Sequence, residues 1–393
     1  MATQKGVWNL QQVRDKQLQS LWDYDTSAYS LWTWGKNEKG QLGLSEALGV
    51  AKDSPVQIPG TNWKLVAGTG CGPQHSLAIK TDGTLWAWGK NEHGMLGQGN
   101  TTYYSSPVQI PGSTWAYAVV DWAFSAATKT DGTLWTWGHN NTGQLGHNNQ
   151  TSYSSPKQVP GTSWGTTADS ISTNDYNLRV IKTDGTLWVW GSNNEGQLGQ
   201  NNKVYYSSPV QINGTWTHLS GSGDTDKYSA AIKSGGTLWT WGDNQYGQLG
   251  HNNTTQRSSP VQVPGTDWNG IGSGKMGMFG FRTDGTLWSW GYNTRGQLGL
   301  NDRTFRSSPT QVPGTTWTTG SQSGSYMLAS IFSKTDGTLW TVGQGGDTGI
   351  LGAGLGVSAR RSSPVQVGSE TDWKSDYGSV SMSYMNGYAL RSL

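Results

Sequence analysis

One cysteine, few charges and no long apolar run set the first limits on this chain of 393 residues. Cys71 stands alone, so no internal disulfide framework can form, and a thiol nucleophile would have only that residue to use. Charged side chains make up 13%, and 27 basic residues against 25 acidic ones leave a formal charge of +2. No run of Lys or Arg is present to neutralise a row of phosphates, which disfavours nucleic acid as a partner. No segment reaches the roughly 18 apolar residues of a membrane-spanning helix, so no membrane insertion is expected. The N-terminus has no signal-peptide core, and the chain reads as one made in a cytoplasm. What the chain has instead is aromatic: 23 Trp and 16 Tyr supply apolar area.

Most of that tryptophan is periodic. Leu-Trp-x-Trp-Gly, or a close variant, begins at residues 31, 85, 134, 187, 238, 287 and 339, with gaps of 54, 49, 53, 51, 49 and 52. A repeat of this length means stacked supersecondary units, none of which buries its apolar face alone. One unit runs His-Ser-Leu-Ala-Ile-Lys from His75, Thr-Asp-Gly-Thr, Leu-Trp-Ala-Trp-Gly, a loop ending Gly-Met-Leu-Gly, Ser-Ser-Pro-Val-Gln-Ile-Pro-Gly, then a segment led by Trp115. Asp82-Gly83 between two β-prone runs predicts a two-residue hairpin turn of the primed type. Trp86 and Trp88, two apart, are expected on one face of their strand. The prolines around Val-Gln suit the start and end of an edge-like strand. The small residues after each leading tryptophan suit strands that converge on an axis.

Four short antiparallel strands per unit, seven units and no helical periodicity predict an all-β, closed seven-bladed propeller over residues 25–393. Tyr388-Ala389-Leu390-Arg391 matches the His75 strand but no hairpin follows it, and Leu31-Trp32-Thr33-Trp34-Gly35 lacks a preceding strand. One blade is therefore expected to be completed by both termini, which removes the exposed sheet edges. Twenty of the 23 tryptophans hold repeat positions and are expected to pack between blades.

Little points to catalysis. His75, His93, His139, His147, His218 and His251 have no metal-ligand spacing, and no nucleophile motif accompanies the serines. The closest carboxylate clusters, Asp23/Asp25 and Asp224/Asp226, lie in no calcium-loop pattern. No cofactor, metal or catalytic residue is predicted. Binding is favoured, because the units agree in their strands and differ in two loops, one before Gly-Gln-Leu-Gly and one before Ser-Ser-Pro. Immediately before the serines stand Tyr103-Tyr104, Ser152-Tyr153 and Tyr205-Tyr206, then Gln256-Arg257, Phe305-Arg306 and Arg360-Arg361. A propeller places these on one rim, tyrosine-lined on one half and arginine-lined on the other. Tyr and Arg carry much of the binding energy at interfaces; such a rim also suits a host-surface or glycan ligand. Equally, each of these side chains can simply cover the neighbouring blade's loop.

The ordered sub-motifs Thr-Asp-Gly-Thr-Leu-Trp-x-Trp-Gly, Asn, Gly-Gln-Leu-Gly, Ser-Ser-Pro and Val-Gln resemble the regulator of chromosome condensation repeat family over roughly residues 25–393. The resemblance implies a seven-bladed propeller. It leaves function open among guanine-nucleotide exchange on a small GTPase, ultraviolet sensing, enzyme inhibition and general partner binding. Ultraviolet sensing relies on a Gly-Trp-Arg-His-Thr type motif where this chain reads Pro73-Gln74-His75-Ser76-Leu77, so it is not expected. A secreted inhibitor would need an export signal, and the exchange factor's basic tail has no counterpart.

Residues 1–24 precede the repeat, and Val7, Trp8, Leu10, Leu18, Leu21 and Trp22 share one face at helical spacing. This short arm is expected to be helical, anchoring to a protein partner or capping the propeller. Its opening, Lys-Gly-Val-Trp-Asn-Leu-Gln, looks like that of structural proteins of tailed bacteriophages. That resemblance implies a non-enzymatic virion component, a capsid decoration or tail adhesion protein docked through the arm. The other reading is a protein-interaction regulator, as exchange factor or enzyme inhibitor.

Overall fold

The computed structural model describes residues 29–67, 74–174, 176–220, 227–274, 276–322, 329–344, 351, 360–373, 380–382 and 386–392. The arm at 1–24, Cys71 and the pairs Asp23/Asp25 and Asp224/Asp226 lie outside them, so the helical and anchoring expectations do too. The described residues form a β-propeller of four-stranded antiparallel blades, in which the single helical element is a 3-10 turn at Ala168–Ser170. One sheet illustrates the pattern. Trp115–Val120 pairs with Phe124–Lys129, which pairs with Leu134–Gly138, which pairs with Tyr153–Gln158. The tryptophan-led strand thus opens a sheet; it does not close the unit before it.

Five sheets have four strands, and a sixth has eight. In the last, Tyr29–Gly35 pairs with Asn386–Ser392 from the other end of the chain, from Tyr29 opposite Ser392 to Gly35 opposite Asn386. The two ends are therefore stitched together, as the incomplete first and last repeats require.

The hairpin turn differs from expectation. Gly83 N–H donates to Lys80 O at 2.9 Å and Lys80 N–H to Thr84 O at 3.0 Å, and only Gly83 of the Asp-Gly pair has positive φ, +77°. This is a three-residue loop with a glycine bulge, not a primed two-residue turn. Asp82 selects it: its carboxylate accepts from Thr84 N–H at 3.0 Å and Thr84 Oγ1 at 2.7 Å, and Thr84 Oγ1 accepts from Trp86 Nε1 at 2.8 Å. Those hydroxyl and amide bonds hold the carboxyl below its ordinary range. The proline prediction also shifts. Tyr104–Ile110 pairs Tyr104 with Gly89 and Val108 with Ala87, so Ser105 to Pro107 bulge opposite Trp88. Pro107 sits in the bulge of an edge strand, where a missing N–H costs no ladder bond.

Tryptophans organise the core. Trp86 and Trp88 both pack edge-on against Trp63, at 6.4 and 6.2 Å between ring centroids, while Ala87 is buried on the other face. Such contacts add about 0.5–1.5 kcal/mol each beyond area burial. The second tryptophan also joins repeats: Trp88, Trp137, Trp190, Trp241 and Trp290 donate Nε1 to carbonyls of Gln41, Met95, Gln144, Gln197 and Gln248 in the loop of the preceding repeat, at 2.8–3.0 Å. Above each leading pair lies a cation. Lys80 Nζ is 4.9 Å from the Trp63 ring and 4.5 Å from that of Trp86, and Lys129, Lys182, Lys233, Arg282, Lys334 and Arg391 repeat the arrangement. These clamps went unread in the sequence, though the basic residue before each Thr-Asp-Gly signals them.

Candidate functional site: the loop rim

A buried asparagine frames the loop after each Leu-Trp-x-Trp-Gly strand in six copies, at 37, 91, 140, 193, 244 and 293. Asn91 Oδ1 accepts Leu96 N–H at 2.9 Å, and its Nδ2 donates to the carbonyls of Asn100 and Thr102, each at 3.0 Å. A loop so braced presents its tip rigidly. It also fixes the residues before each Ser-Ser-Pro. Tyr104, Tyr153, Tyr206, Arg257, Arg306 and Arg361 oppose Gly89, Gly138, Gly191, Gly242, Gly291 and Gly343, the same register in six sheets. With Tyr103, Tyr205, Phe305 and Arg360 just before them, the predicted rim residues all lie at one end of their strands.

The two positions do different work. The second serves its own loop. Tyr104 and Tyr206 accept from Asn100 and Asn202 at 3.3 and 3.0 Å, Lys157 donates to Tyr153 at 2.7 Å, and Arg306 pairs with Asp302 at 2.5 Å. In three repeats the first position reaches across the seam to the preceding repeat. Lys39 Nζ lies 5.8 Å from the Tyr103 ring, Gln256 donates to Glu195 O at 2.7 Å, and Tyr246 packs on Phe305 at 5.7 Å. Tyr103 also donates to Glu92 at 2.7 Å; partial burial and that carboxylate push its phenol up to about 12. So the side chains cover neighbouring loops and remain presented: Tyr103, Tyr205 and Phe305 are 36%, 40% and 43% exposed.

Further contacts at this end were not foreseen in the sequence. His93 stacks on His139 at 4.5 Å across one seam, Trp122 is exposed beside Lys90, and Tyr246, Tyr292 and Phe305 form an aromatic trio. Each sits in a loop that varies between repeats, which was the available signal. Away from the rim, Arg179 is buried where equivalent strands carry Leu77, Ala126 or Ala230; it donates to Ser172 Oγ at 2.8 Å.

Among the described residues a buried His–Ser pair, His75 with Ser125, is bound into the packing between repeats. Ser125 Oγ donates to Met95 O at 2.8 Å, so it accepts from His75 Nε2 at 3.0 Å, and no carboxylate orients Nδ1. Burial, with the Lys90 charge, lowers His75 to about 3 and keeps it neutral. Among the described residues no cluster of three metal-ligating side chains occurs.

Over residues 30–385 the sequence matches the RCC1-like domain. The chain belongs to the RCC1-like domain family. Within that family it is similar to the ultraviolet-B receptor UVR8 of Arabidopsis thaliana, 26% identical over 254 residues, which is 61% of this chain and 55% of the receptor. It is 41% identical over 86 residues to human protein RCC2, covering 22% of this chain and 16% of RCC2. The chain thus spans about half the length of the first relative and a small part of the second. The crystal structure of Prp20p from Saccharomyces cerevisiae, described with its binding to Gsp1p and histones, shares the RCC1-like fold with a TM-score of 0.78. At 18% identity it covers 93% of this chain and 92% of the yeast chain.

Proposed function

We propose that this RCC1-like chain is a non-enzymatic protein-interaction regulator that binds its partner through the loop rim. The observation that carries this reading is the division of labour within the repeat. Strand positions recur from sheet to sheet and are consumed by packing, whereas the rim position held in one register is Tyr in three sheets and Arg in the next three, and the position before it varies further. Prp20p, which has the same fold, is described as binding Gsp1p and histones, so protein partners are the first class to test. Exchange on a small GTPase is one of the regulatory activities that the family resemblance implies, alongside enzyme inhibition.

A closed ring of seven blades belongs to the same proposal. In its support, the eight-stranded sheet divides into two four-stranded halves joined only by the Tyr29–Trp63 pairing. Most of the tryptophan-led strands also adjoin the next one along the chain, and Val380–Met382 lies against Trp63–Ala67. The virion reading, with docking through residues 1–24 and a glycan ligand at the rim, draws no support from these relatives; the regulator reading replaces it.

Affinity capture from an extract of the source organism tests the proposal. The full chain should retain specific proteins that the combined Tyr103→Ala, Tyr205→Ala and Phe305→Ala variant loses at unchanged thermal midpoint. Identical capture by both would remove the rim from the account. A nucleotide-release assay on any captured GTPase separates exchange from simple binding.

A further inference from the structure

Three seams of the rim bring complementary groups together, and a further seam carries two like charges. Lys39 meets the Tyr103 ring, Gln256 meets Glu195, and Tyr246 meets Phe305. One sheet further on, the same two positions hold Arg295 and Arg360. The backbone seats them alike. A Cβ on Gly247, after Tyr246, would lie 2.6 Å from Ser307 Cα, and one on Gly296, after Arg295, would lie 2.6 Å from Ser362 Cα. Arg295 therefore stands to Arg360 as Tyr246 stands to Phe305, with two guanidiniums on one seam.

Among the described residues no carboxylate pairs with Arg295, Arg303, Arg360 or Arg361, whereas on the other half of the rim Lys36, Lys90 and Lys203 pair with Glu38, Glu92 and Glu195. Arg303 and Arg360 are exposed. Like charges in contact cost free energy unless an anion joins them, and a guanidinium fork binds a carboxylate by two parallel hydrogen bonds. Beside this seat is an apolar step. Tyr246, Tyr292 and Phe305 pack at 4.9, 4.8 and 5.7 Å, and Phe305 leaves 43% of its surface open.

We infer that the Arg295–Arg360 seam and the adjoining aromatic trio form a binding site for an acidic peptide segment carrying one aromatic or large aliphatic side chain. This deepens the proposed function and rests on it. Carboxylates occupy the guanidinium seat and the apolar side chain covers Phe305. A nucleic-acid strand fits less well, because a phosphate backbone needs a track of cations, and here Arg306 is already neutralised by Asp302.

The test is fluorescence anisotropy of a labelled peptide, Gly-Glu-Asp-Glu-Phe-Glu-Asp-Glu-Gly amide, titrated with the full chain. Saturable binding is expected. It should weaken at least tenfold in the double variant Arg295→Glu, Arg360→Glu, severalfold in Phe305→Ala, and not at all in Lys64→Glu, an exposed charge reversal elsewhere. Thermal midpoints establish that each variant is folded. No binding by the wild type, or equal binding by the double variant, would overturn the inference. So would a single-stranded oligonucleotide that binds as tightly and is lost in the same variant, which would assign the seat to phosphate. If the peptide fails while partner capture still depends on Tyr103, Tyr205 and Phe305, only this inference falls; if both fail, the rim reading falls with it.

Discussion

Trp190 donates its indole N–H to the main-chain oxygen of Gln144 at 3.0 Å, tying two sheets together through residues 46 positions apart. The ring is fully buried, so the bond is shielded from water. Replacing it with phenylalanine removes apolar area and leaves a buried carbonyl without that donor. Trp190→Phe is expected to destabilise by about 1–3 kcal/mol. Trp188→Phe should cost less, because Trp188 is half-buried and its N–H bonds Thr186 of its own hairpin at 2.9 Å. Equilibrium urea unfolding of the two variants provides the comparison.

Two glycines with positive φ separate steric from conformational cost. Gly143 has φ +81°, and a Cβ there would lie 2.5 Å from Ser207 Cα in the next sheet; Gly49 has φ +90° and nothing within 4 Å. Both alanine variants carry left-handed strain of roughly 1–2 kcal/mol. Gly143→Ala alone must also push two sheets apart, so it should lower the unfolding midpoint clearly more than Gly49→Ala.

Stability should depend on pH through His75. Its folded pKa lies near 3 and an unfolded histidine titrates near 6.5. Below about 6.5 the unfolded chain takes up a proton that the folded chain refuses. The contribution is thus complete above that pH and is lost as pH falls towards about 3, at roughly 1.4 kcal/mol per pH unit. Denaturant titrations at several pH values should show this slope. Asn177 occupies the equivalent register opposite Gly191, so His75→Asn is the natural test and should flatten the dependence. A residual slope of the same sign should persist, because burial also lowers His139, His147 and His251.

How much of this was legible in advance follows from where each signal resides. The hairpin at Asp82-Gly83 and the pairing of the termini were readable, since the repeat places them within a few residues or by the absence of a partner strand. The turn type was not, because Asp-Gly serves two turns and the choice lies with the Thr84 hydroxyl between Asp82 and Trp86. Rim positions were found by their variation, and the loop before Gly-Gln-Leu-Gly that ends at Arg295 was among them, yet the meeting of Tyr246 with the next repeat was not seen. Tyr246 meets Phe305 of the next repeat, and a contact across a seam has no local pattern.

The most direct test of the account is a photo-crosslinking residue placed at Phe305 and, separately, at Asp82. The two positions bound opposite ends of equivalent strands, Asp82 before Leu85–Gly89 and Phe305 opposite the close of Leu287–Gly291. Binding through the loop rim predicts partner adducts from position 305 and none from position 82. Adducts from position 82 with none from position 305 would contradict it.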